Sequence, residues 1–216
     1  NYETYHQTAL NNSDFGHQTW DRATLGALDA SSYSHYQAVV WSAGLQYPTL
    51  VKDDRDALAN YLDGGGKLFI NGQDIGWDLC YSGSSNYSAD AVAWYQNYLG
   101  ATYVADDVAS ATLNGIDGDP ITDGLSLTIV GGDGANNQTY PSRIAPINGG
   151  STILTYHNSQ IGAVKKGSGP YRTVYFAFGF EGINSQASRD AVMQNVIYWI
   201  INGDGTSSVD SPKPFL

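Results

Sequence analysis

Apolar positions recur along this chain with two periods, and their alternation predicts stacked layers of helix and sheet. Tyr2, Tyr5, His6, Ala9 and Leu10 fall at helical spacing, and the polar run Asn11-Asn12-Ser13-Asp14 before Phe15-Gly16 stops that helix. Ala38-Val39-Val40-Trp41-Ser42 is a short apolar run with β-branched residues, bounded by Gly44 and Pro48, as a buried parallel strand requires. Thr49 to Leu62 returns to the helical period through Leu50, Leu58, Tyr61 and Leu62. Asp53, Asp54 and Asp56 place acid in its early turns, where the helix dipole favours it.

Gly64-Gly65-Gly66 ends that helix, and Lys67-Leu68-Phe69-Ile70-Asn71 is the next strand, running into a second glycine turn, Gly72 to Gly76. Helix, glycine stop, strand and glycine turn make half of a doubly wound unit. A further helix spans Ala89 to Leu99 and is closed by Gly100. Ser151–Tyr156, Ile161–Lys165 and Arg172–Phe178 read as three strands, and Ser188–Asn202 as a closing helix with Val192, Val196, Ile197 and Ile200 on its apolar face. The expected fold is a three-layer α/β sandwich with a mostly parallel, doubly wound sheet. It occupies 1–203 as one domain, with 101–150 as a β-rich elaboration and 204–216, rich in Gly, Ser, Asp and Pro, as a linker or tail.

Composition narrows the partners. A formal net charge of -11 with only 10 Lys and Arg leaves no basic stripe for a nucleic acid backbone. No apolar run approaches the ~20 residues that span a bilayer. Cys80 is the single cysteine, so no disulfide forms within the chain and no zinc spacing occurs. One Met and few Lys beside 16 Tyr, 5 Trp and 25 Gly suggest an extracellular bacterial protein.

Three segments in order carry a family resemblance: Tyr61-Leu62-Asp63-Gly64-Gly65-Gly66-Lys67-Leu68-Phe69-Ile70-Asn71-Gly72-Gln73-Asp74-Ile75-Gly76, then Asp119-Pro120-Ile121-Thr122-Asp123-Gly124-Leu125, then Val174-Tyr175-Phe176-Ala177-Phe178-Gly179-Phe180-Glu181. The chain resembles the class I glutamine amidotransferase-like, flavodoxin-like fold in a degenerate form related to the trehalose-utilisation proteins and found in large secreted bacterial proteins such as peptidases. Active members carry a cysteine at the strand-to-helix elbow and a histidine that activates it. Here Gly72-x-Asp74-x-Gly76 puts aspartate at the elbow, and no histidine follows Phe180-Glu181, so the resemblance implies no glutamine hydrolysis. Such folds also begin with a central strand that this chain lacks before its first helix. The expectation is that a preceding segment carrying it has been removed, with closure by the middle strands or donation by another segment or a neighbouring chain as the alternatives.

Candidate chemistry gathers near the strand ends. Asp74, Asp78 and Glu181 are the candidate acid/base or cation-holding carboxylates, with helix capping by Asp74 and backbone bonding by Glu181 as structural alternatives. Gln73, Trp77 and His157 are candidate ligand contacts, and Trp20 and Trp77 are candidate exposed platforms for sugars. Asp117, Asp119, Asp123 and Asp133 lie on Gly-rich turns that could hold calcium, although none matches an EF-hand loop. The function expected is a non-catalytic accessory, structural or assembly module of a secreted protein, partnered by other domains or subunits. A glycan or peptide hydrolase and a calcium-dependent or glycan-binding module are the alternatives.

Overall fold

The computed structural model describes residues 2–167 and 169–204. In chain order it contains α1 (Glu3–Asn12), the single turns α2 (Arg22–Leu25) and α3 (Ala30–Tyr33), β1 (Val39–Ser42), α4 (Lys52–Asp63), β2 (Lys67–Asn71), α5 (Ile75–Cys80) and α6 (Ala89–Leu99). There follow β3 (Ala101–Ala105), β4 (Thr112–Gly115), β5 (Ser126–Thr128), β6 (Arg143–Pro146), β7 (Gly150–Tyr156), β8 (Ile161–Lys166), β9 (Arg172–Phe176), a 3-10 turn at Phe180–Gly182, and α7 (Gln186–Asn202). The tail expected at 204–216 lies, apart from Asp204, outside the described residues.

The strands form a single sheet in the order β1-β2-β9-β8-β7-β4-β5, with β3 joined to it through β6. Parallel pairing is confined to β1-β2-β9, and every pairing beyond β9 is antiparallel. β1 pairs with β2 along all four of its residues, from Val39↔Leu68 to Ser42↔Asn71. The sheet therefore has no internal vacancy for a missing central strand. A further strand has room outside the terminal strands β1, β5 and β3.

Period-two alternation sorts the central strands between two cores. Phe69, Val174 and Phe176 face the side covered by α1 and α7, where they meet Leu10, Val192, Met193, Val196, Ile197 and Ile200. Leu68, Ile70 and Tyr175 face the other side, against Leu58 and Leu62 of α4, Leu79 of α5 and Tyr95 and Leu99 of α6. The helices on that side begin and end by local rules. Ser88 caps α6 by accepting from the Ala91 amide, and Gly100 closes it in the left-handed region at φ 68°.

Phe69 is fully buried, with its ring 5.0 Å from that of Phe176 and 6.0 Å from that of Phe180. Phe69→Ala should lower stability by about 3 to 5 kcal/mol, measured by urea unfolding. A loss under about 1 kcal/mol would show that this face is not the tightly packed core described.

Candidate functional site

The turn after β2 is built by a close approach that only glycine permits. Gly72 lies at φ 158°, and a Cβ there would fall 2.7 Å from the Ala43 Cβ. Its amide bonds to the Phe176 and Phe178 carbonyls, which locks the elbow to the end of β9. Asn71, one residue earlier and fully buried, is a hub. Its Oδ1 accepts from the Phe180 amide at 3.1 Å and from His6 Nε2 at 3.2 Å, and its Nδ2 donates to the Trp41 carbonyl at 3.2 Å. The acceptor fixes the proton of His6 on Nε2. Burial holds this imidazole below its usual range and outweighs the opposing charge of Glu181.

Segment 137–142 runs across the carboxyl ends of β2 and β9. Asn137 Nδ2 donates to Glu181 Oε1 at 2.8 Å, and Gln138 Oε1 accepts from the Gly179 amide at 2.6 Å. The Tyr140 amide donates to Gln73 Oε1 at 3.0 Å. Ser142 donates from its hydroxyl to the Gln73 carbonyl at 2.7 Å and from its amide to the Ala177 carbonyl at 2.9 Å. The crevice where open α/β sheets receive ligands is thus roofed by the chain itself.

The candidate carboxylates have separate surroundings. Glu181 is fully buried and accepts from side chains, Asn137 and Gln138, not from the backbone as expected; its Oε2 has no hydrogen-bond partner. Asp78 is fully buried and takes four donors: the Thr49 amide and hydroxyl at 2.7 Å each, Asn86 Nδ2 at 3.0 Å and the Ser84 hydroxyl at 3.1 Å. It pins two loops and has no free edge for a substrate. Asp74 stands at the N-cap position of α5 but makes no capping bond, contrary to that expectation. Half-buried, its carboxyl is pushed up to about 6 by desolvation and then by Asp106, with a smaller push from Asp78. Asp106 is likewise raised, first by desolvation. Its Oδ1 lies 2.9 Å from the Ser142 hydroxyl and shares that single proton with the Gln73 carbonyl.

Asp106 was not legible as a site residue, because its partners Ser142 and Asp74 lie far along the chain. Gln73 is buried and committed to the roof, Trp77 is half-buried on α5, and His157 is exposed in the turn after β7, three strands from β2. Trp20 is 40% exposed, with its indole N–H bound to the Gly26 carbonyl. Cys80 is half-buried on α5, and burial pushes its thiol up to about 12, so it stays protonated at neutral pH.

The aspartates considered for calcium are dispersed. Asp119 Oδ1 accepts from the Ile121 and Thr122 amides while its Oδ2 pairs with Lys165 at 2.6 Å. Asp123 accepts from the Gly118 amide, Asp133 pairs with Arg189 at 2.8 Å, and Asp117 is exposed. Among the described residues no three His, Cys, Asp or Glu side chains converge as a metal site.

No family model and no curated protein matches the sequence. Solved structures do match. A cytoplasmic protein of Salmonella typhimurium LT2 aligns at TM-score 0.64 and 13% identity over 91% of this chain and 86% of its own. A ThuA-like protein of Parabacteroides merdae aligns at TM-score 0.53 and 14% identity over 99% and 88%. A β-galactosidase of Bacillus circulans aligns at 0.56 and 10% over 92% and 27%. The fold is similar to that of the ThuA-like protein. The chain spans 20% to 27% of the length of the glycosidase structures it matches. The extracellular location read from composition is overturned, since the Salmonella structures that align over most of both chains are of cytoplasmic proteins. Much of the tyrosine serves packing, since Tyr33, Tyr61, Tyr95, Tyr156, Tyr171 and Tyr175 are buried in the core.

Because the Asp74 carboxyl is raised in the folded state, its contribution to stability is full below about pH 3.8 and is lost as pH rises through about 6. Asp74→Asn should therefore stabilise the protein at pH 7.5 by about 1 kcal/mol, a figure discounted for solvent screening, with no gain at pH 3.5. Thermal unfolding at both pH values checks this. By contrast Asp78→Ala, which strands four donors, should cost about 3 kcal/mol or more at pH 7.

Proposed function

We propose that this ThuA-like domain is a non-catalytic accessory or assembly module that keeps the amidotransferase-like elbow as architecture. The observation that carries the reading is the roof over the strand ends. Asn137, Gln138, Tyr140 and Ser142 take the hydrogen bonds that a bound substrate would otherwise meet at Gln73, Gly179 and Glu181.

The elbow itself supports the same reading. Asp74 stands in the nucleophile's place, the imidazole of His6 is tied to Asn71, and the Cys80 thiol is held protonated. A hydrolase working through Asp74, Asp78 and Glu181 would need two of these carboxylates free, whereas Asp78 is saturated and Glu181 enclosed. Assembly by strand addition would use β1, the terminal strand on the parallel side of the sheet.

Incubation of the chain with aryl glycosides and fluorogenic peptides should give turnover equal to that of the Asp74→Ala variant and of buffer. Turnover that disappears in a folded Asp74→Ala protein would overturn the proposal.

A further inference from the structure

The end of the sheet opposite the roofed crevice carries a feature that the accessory role leaves unused. A cavity of about 250 Å³ opens there, beside the turn that joins α4 to β2. Ala30, Ser34, Tyr36 and Gln37 line it from the segment before β1, and Asn60, Tyr61 and Gly64-Gly65-Gly66 line it from the end of α4 and the turn. The glycines keep the turn bare. A Cβ on Gly66 would fall 2.5 Å from the Tyr61 ring, and Gly65 lies in the left-handed region at φ 95°.

In a chain of net charge -11, no Asp, Glu, Lys or Arg lines this cavity among the described residues. Its hydroxyl protons are already committed. Ser34 donates to the Ser31 carbonyl at 2.6 Å, and Tyr36 donates to Gln18 Oε1. Those two oxygens therefore have only acceptor capacity left to offer. The second observation is an orphaned acceptor in the same lining: Gln37 Oε1 is buried and reaches no hydrogen-bond donor. Such a group is costly until a donor meets it.

An uncharged lining with unmet acceptors narrows the occupant. An anion would bring further acceptors. A cation would meet Lys67, whose ammonium donates to the Gly65 carbonyl at 2.6 Å and is acted on by Arg172. An apolar molecule would leave Gln37 Oε1 unpaired. The volume lies below the ~300 to 1,000 Å³ of pockets for drug-sized ligands, which limits the occupant to a single ring.

We propose that this cavity binds one neutral pyranose sugar. Its hydroxyls donate to Gln37 Oε1 and to the Ser34 and Tyr36 oxygens, and the exposed Asn60 amide adds a donor and an acceptor at the rim. Ala30 and Tyr36 supply apolar surface for its C–H groups. This site goes beyond the accessory role and does not depend on it.

The test is an NMR titration of the full chain with D-glucose, D-galactose and D-mannose in turn. At least one hexose should give saturable shifts at the Gly64, Gly65 and Gly66 amides and the Gln37 side-chain amide, while the Tyr140 and Gly179 amides of the roof stay in place. The 2-amino sugar and the uronate of that hexose, and cyclohexanol as a ring with one hydroxyl, should each bind about tenfold more weakly or worse. Gln37→Leu should weaken hexose binding about tenfold. Asn60→Ala, a change at an exposed helical position, should weaken it several-fold and serves as the test if Gln37→Leu fails to fold. Amides of β9 report that each variant is folded. No saturable shift with any of the three hexoses, shifts centred on the roof, charged sugars or cyclohexanol binding as tightly as the hexose, or hexose affinity unchanged in the folded variants would each overturn the proposal.

Discussion

Three parallel strands that end under cover must have their terminal polar groups satisfied without bulk water, and in this protein the chain does so with its own segment 137–142. Gln73 and Glu181, at the ends of β2 and β9, are buried, and each receives donors from that segment. Asn71 ties the same region to α1, β1 and the turn after β9 through three hydrogen bonds. Removing any one partner leaves a buried donor or acceptor exposed to no solvent, so the roof and the strand ends depend on each other. This mutual dependence turns a ligand crevice into structure.

Asp74 stands outside that arrangement. It occupies the elbow, yet neither caps α5 nor pairs with a cation, and its neighbours include Asp106 and Asp78. A desolvated carboxyl facing like charges opposes folding at neutral pH. The roof explains why the fold survives without substrate at its strand ends.

The local features of the fold were legible because local physics decides them. The helix at Ala89–Leu99 is bracketed by a serine cap and a left-handed glycine, and the strand at Lys67–Asn71 is an apolar run between glycine turns. The antiparallel half of the sheet was less legible, since β4, β5 and β6 are three or four residues long and owe their pairing to distant partners such as Tyr156 and Ile161. At the site, Asp74 was visible from its glycine setting. Its electrostatic relation to Asp106 was not, because Asp106 follows β3 and lies far along the chain. Asp119 read correctly as a turn residue, but its ion pair with Lys165 of β8 belongs to tertiary structure.

The most direct test of the closed strand ends is native-state hydrogen exchange at the amides of Gly72, Tyr140, Ser142 and Gly179. Each donates within the roof or the elbow. Closure predicts that these four amides exchange as slowly as those of β2 and β9, opening only with global unfolding. Exchange of Tyr140, Ser142 and Gly179 within minutes, while β2 and β9 remain protected, would show that the crevice opens to ligands and would contradict the account.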